Sequence, residues 1–108
     1  MTTKPITDKA EVSLDFPNKF YMGSFGRHSV LDVTADDHGA HIKLERKEQE
    51  TRRVAFHLHY YLLADLIESL GQEIAKTGGI DEAHRSELES AVKTLAKSVK
   101  PPRGKARK

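Results

Sequence analysis

No cysteine occurs among the 108 residues. Its absence rules out disulfides, thiolate metal sites and cysteine nucleophiles, and it suits a reducing cytoplasm. Long apolar runs are missing as well, since nothing approaches the ~20 residues that a membrane span needs. The opening stretch MTTKPITDKAE has no apolar middle of the kind a signal peptide carries. The expectation is a cytoplasmic protein with no membrane association. Acidic residues are lacking from one end of the chain. All 16 lie at or before Glu89, together with eleven of the 18 basic residues, so residues 1–89 carry a net −5. The other seven cations give residues 90–108 a net +7. A mildly acidic body therefore precedes a basic end.

By length the chain is one domain, and one of this size buries only roughly 60–70% of the surface its unfolded form exposes. Its core is modest, and dimerisation is one way to enlarge it. Residues 1–10 show no period and read as a flexible lead-in. Val12, Leu14 and Phe16 alternate with polar residues as on a strand, and Pro17-Asn18 ends it in a turn. Lys19–Phe25 is a second strand that Gly23 and Gly26 are expected to interrupt with a bulge. Leu31, Val33 and Ala35 share one side of a third strand, and the turn Asp36-Asp37-His38-Gly39 follows it. Ile42 and Leu44 mark the next strand, and Val54, Phe56 and Leu58 the one after.

From Tyr61 the period changes. Leu63, Leu66, Ile67, Leu70 and Ile74 recur at spacings of three and four, the apolar stripe of an amphipathic helix. Gly78-Gly79 stops that helix, and Asp81 is a suitable N-cap for another. In this second helix Leu88, Val92, Leu95 and Val99 form a narrow seam, and Pro101-Pro102 terminates it. The fold class is α+β: an antiparallel meander of three to five strands, covered on one face by the long helix, with a C-terminal helix beyond. The single domain is expected over residues 11–99, and 100–108 as a disordered basic tail.

Five of the six histidines fall between His28 and His59, and His57-x-His59 puts two imidazoles on one strand face. Two registers keep Ile42, Leu44, Val54, Phe56 and Leu58 on a common side. One sets His41 opposite His57 and the other sets it opposite His59, so both group three histidines on the polar face. Asp32 falls one strand further over, near His41 or Lys43. Three imidazoles and a carboxylate form a ligand set for zinc, copper or nickel. The competing explanation is a merely solvated sheet face.

The basic end points elsewhere, because cations with no intervening carboxylate attract polyanions in a salt-dependent way. Phe20, Tyr21, Phe25, Tyr60 and Tyr61, near Arg27, Arg52 and Arg53, offer faces for base stacking, although core packing uses the same residues. The Gly23-x-x-Gly26 spacing lies between strands rather than helices, which is the wrong context for a backbone clamp. No phosphate-binding loop, dinucleotide fingerprint or nucleophile elbow occurs.

The opening Phe25-Gly26-Arg27 and the passage from Arg53-Val54-Ala55-Phe56 into Leu62-Leu63-Ala64-Asp65-Leu66 lie in a stretch, Lys19 to Lys76, of curled strands followed by one long helix. This layout resembles the single-stranded nucleic-acid-binding modules of the Pur-alpha and Whirly families. The resemblance implies a dimer that binds single strands on the sheet through Arg27, Lys43, Arg52 and Arg53.

The sequence thus predicts a small non-catalytic binding module without a cofactor, a homodimer with single-stranded DNA or RNA as partner. Its contacts would be Arg27, Lys43, Arg52 and Arg53, joined by Lys100, Arg103, Lys105, Arg107 and Lys108 of the tail. Two alternatives remain open. One is a protein–protein adaptor using Leu88 and Leu95 of the C-terminal helix. The other is a metal-binding protein holding zinc on His41, His57 and His59.

Overall fold

The computed structural model describes residues 2–47 and 50–101. The chain is α+β, with strands β1 (Thr2–Pro5), β2 (Ala10–Phe16), β3 (Lys19–Phe25), β4 (Ser29–Ala35), β5 (Gly39–Lys47) and β6 (Thr51–His59) followed by helices α1 (Tyr60–Lys76) and α2 (Glu82–Ser98). It divides into two compact units, Met1–Ile67 and Glu68–Lys108. Among the described residues no helix is long and apolar enough to cross a membrane.

In the first unit an antiparallel sheet runs in the order β1-β4-β5-β6. The period-two pattern sets its faces. Leu31 pairs with Leu44 and Leu44 with Val54, while Val33 pairs with Ile42 and Ile42 with Phe56, so these six side chains share one face. Asp32, Lys43 and Ala55 fall on the other face, in line with one another, and Thr34, His41 and His57 make the next row. β4, β5 and β6 are the expected meander.

Two parts of the layout differ from expectation. Thr2–Pro5 is an edge strand on β4, with Thr2 opposite Val33 and Pro5 opposite Val30, where a flexible lead-in through residue 10 was expected. An edge strand is held by main-chain bonds on one side and needs no hydrophobic pattern, and its end tolerates proline. β2 and β3 form a separate two-stranded sheet instead of extending the meander. Their ladder is continuous, with Val12 opposite Gly23, so the expected bulge is not there. Gly26 lies instead in the turn to β4, where its carbonyl accepts from Ser29 N–H at 2.9 Å.

The helices begin and end where their signals stand. Gly78 (φ 83°) and Gly79 (φ 118°) adopt the left-handed backbone that halts α1. The Asp81 carboxylate caps α2 by accepting from His84 N–H at 3.3 Å. Burial is sparse throughout. Among the described residues Phe25 is the only buried apolar side chain, and neither helix has a buried residue. On the α1 stripe, Leu66 is 47%, Ile67 41% and Leu70 49% exposed.

Candidate metal centre

The β4–β5 turn organises the polar end of the sheet. Asp36 Oδ1 accepts from the backbone N–H of His38 at 2.8 Å and of Gly39 at 3.0 Å, and Asp36 N–H donates to Gly39 O at 3.0 Å. This folds the aspartate over its own turn, the use to which short polar side chains are best suited. Tyr60, the first residue of α1, secures the turn from the other side. Its hydroxyl donates to Asp36 O at 2.8 Å and its N–H to His38 O at 3.1 Å. Oδ2 of Asp36 is left facing the sheet, where His41 Nε2 donates to it at 2.7 Å.

β5 and β6 take the register that sets His41 directly opposite His57. Their rings stack at 3.9 Å between centroids, 11° from parallel. His59 is tilted against His57 at 4.7 Å, and His38 from the turn stacks on His59 at 6.1 Å. Four imidazoles thus form a row with one carboxylate at its end. The potential ligand atoms of Asp36, His41 and His57 all lie within 4.8 Å of one another. Zinc binds imidazole and carboxylate at about 2.0–2.2 Å, so two atoms on one ion sit no more than about 4.4 Å apart. The three side chains are partly exposed, and small rotations would close the difference.

The Asp36 carboxyl is held well below the usual carboxylate range, first by the hydrogen bond from His41 and then by those from His38 and Gly39. Asp36 is therefore ionised wherever an imidazole can ligate. The sign of its contribution to stability follows. A folded-state value below the unfolded one stabilises fully above about pH 4 and is lost as pH falls towards the folded value. Urea unfolding between pH 5 and pH 2 should accordingly show a smaller acid-induced loss for Asp36→Asn than for the unchanged chain. Asparagine retains the turn-forming oxygen, so parallel curves for the two proteins would contradict this assignment.

Of the predicted ligands, His41 and His57 come together, while His59 lies beside them outside the three-residue group. Asp32 is not part of the group. It is opposite Lys43, whose Nζ is 3.7 Å away, and it accepts from Thr3 Oγ1 at 3.1 Å. Asp36 was missed because the DDHG stretch reads only as a turn. The signal was available in the register: once Ala35 pairs with Ala40, a carboxylate at 36 stands at the end of the His41 row.

Two of the predicted phosphate contacts are engaged by carboxylates. Arg53 is paired with Glu45 at 3.0 Å and holds that carboxyl below its ordinary range. Lys43 is engaged by Asp32, and Arg52, one residue from Arg53, falls on the opposite side of the strand. Arg27 and Lys100 are exposed. Arg103, Lys105, Arg107 and Lys108 lie outside the described residues. No protein-family model, curated protein or solved structure matches the chain.

Proposed function

We propose that this protein is a metal-binding module that holds a divalent first-row ion of the zinc class on Asp36, His41 and His57. One observation carries the reading: two imidazoles and an ionised carboxylate, drawn from a turn and two strands, converge within 4.8 Å. A solvated sheet face explains histidines that point outward. It does not explain a carboxylate turned back onto them by two backbone N–H groups, with its turn clamped by Tyr60. Such outer contacts are what orient ligands in metal sites.

Two nitrogens and one oxygen suit zinc, copper or nickel better than magnesium or calcium. Three protein ligands would leave a position for water or an exogenous group. His41 Nε2 would exchange its proton for the ion, so affinity falls on acidification. The nucleic-acid reading rests on cations of which Lys43 and Arg53 are engaged by carboxylates, Arg27 and Lys100 are exposed and four lie outside the described residues, and the histidine constellation is the better supported. Calorimetric titration with zinc chloride at neutral pH tests the proposal. The expected stoichiometry is one ion per chain, abolished in His41→Ala; heat uptake identical in the two proteins would refute it.

A further inference from the structure

On the polar face of the sheet, the row of Thr34, His41 and His57 has neighbours on both sides. Asp36 stands on one side, and the row of Asp32, Lys43 and Ala55 lies on the other. An open cavity of about 510 Å³ spans the two rows and is lined by Asp32, Thr34, His41, Lys43, Ala55 and His57. Ala55 keeps its floor low, since a methyl group sits there between Arg53 and His57 on the same side of β6. Two of the three metal ligands lie in the lining and Asp36 does not, so the cavity reaches the imidazoles from the side away from the carboxylate. All of these residues belong to the first unit.

We propose that this cavity takes a small organic monocarboxylate, which places one oxygen in the remaining position on the ion and meets the Lys43 ammonium with the other. The inference rests on the metal site proposed above. Charge sets the sign of the ligand. A divalent ion on two neutral imidazoles and the Asp36 carboxylate keeps one net positive charge. Lys43 and Asp32, 3.7 Å apart, cancel in the count, so one negative charge from outside brings the site to neutrality. A carboxylate has two acceptor oxygens, one for the ion and one for the ammonium. Chloride offers a single point of contact, and a phosphate monoester carries close to two negative charges at neutral pH.

Lys43 is placed to make that contact. Its distance from Asp32 exceeds the roughly 2.7–3.2 Å of a direct hydrogen bond, so ammonium N–H groups remain for a second acceptor. Asp32 is held by Thr3 Oγ1 at 3.1 Å, and its side chain is 19% exposed against 40% for Lys43. The lysine is therefore the end of the pair that reaches outward. Alternate residues on a strand are about 6.7 Å apart, a distance that the flexible four-carbon stem covers. Arg53, the next cation on this face, is engaged by Glu45 at 3.0 Å.

Cobalt(II) tests the proposal, because it suits the same nitrogen and oxygen ligands and its visible absorption reports on them. The full chain is loaded with cobalt in carboxylate-free buffer at neutral pH and titrated with sodium acetate at constant ionic strength. The expected result is a change in the bound-cobalt bands that saturates at one acetate per ion. Lys43→Met keeps the stem and removes the charge, and it should raise the acetate dissociation constant roughly tenfold. Lys47→Met, further along β5, should leave that constant nearly unchanged, and both variants should take up cobalt like the unchanged chain. Bands indifferent to acetate, a measurement that needs no variant, would overturn the proposal and leave the metal site standing. Equal acetate affinities in Lys43→Met and the unchanged chain would do the same, as would equal weakening by the two lysine variants. A chain that binds no cobalt would remove the metal site itself, and the carboxylate site would fall with it.

Discussion

Gly39→Ala is expected to destabilise the sheet-bearing unit by about 3 kcal/mol, the upper end of what overpacking usually costs, and to abolish zinc binding with it. Gly39 is buried at the start of β5, opposite His59. A β-carbon there would stand 2.1 Å from Leu58 O, 2.7 Å from His59 Cα and 2.8 Å from Leu58 C. All three are main-chain atoms of β6, so no side-chain rotation relieves the clash, and the strands must separate at the point where the histidines meet. Gly39 has an ordinary negative-φ backbone. Glycine is required there by the close approach of two strands. Gly26→Ala is the control, because its β-carbon meets nothing within 4 Å, and its effect should stay within about 0.5 kcal/mol. Urea denaturation of the two variants measures both values. A Gly39→Ala protein as stable as the Gly26→Ala protein would mean that β5 and β6 do not approach as closely as described.

The second large effect is the response to zinc. An ion that binds the folded chain alone, at a hundred times its dissociation constant, adds about 2.7 kcal/mol. For a domain of 60–100 residues that raises the melting temperature by on the order of 10 °C or more. His57→Ala should eliminate the rise, because it removes the ring stacked at 3.9 Å on His41 and one of the three converging ligand atoms. Asp36→Asn should remove most of it, since the charge is lost while the turn is retained. His59→Ala should leave it largely intact, because that ring flanks the group without joining it. Thermal unfolding followed by circular dichroism, with and without zinc, separates these variants. Equal losses in His57→Ala and His59→Ala would point back to the set of three histidines read from the sequence.

How much was legible follows from which forces leave a trace in local sequence. Alternation at Val54, Phe56 and Leu58 and the three-and-four spacing from Leu63 to Ile74 identified β6 and α1, because burial of one face dictates a period. The same parity argument reduced the β5–β6 pairing to two registers, and the structure takes the one with His41 opposite His57. β1 left no trace, because Thr2–Pro5 is held by main-chain bonds that any residue except proline can make. The separation of β2 and β3 into their own sheet was hidden as well, since alternation shows that a strand has two faces and not which strand it joins.

Asp36 illustrates a different limit. Its role arises from a turn that folds the carboxylate towards residues five and twenty-one positions away, and turn composition alone does not indicate where a side chain is aimed.

The most direct test of the metal site is nuclear magnetic resonance of the imidazole nitrogens, recorded at neutral pH as zinc is added to one equivalent. The account predicts that Nε2 of His41 and His57 shift together and saturate at one ion per chain, while His28 and His84 are unmoved. His84 belongs to the second unit, where its Nδ1 is 2.5 Å from the Asp81 carboxylate. Six histidines moving alike in proportion to added zinc, or none moving, would contradict the site.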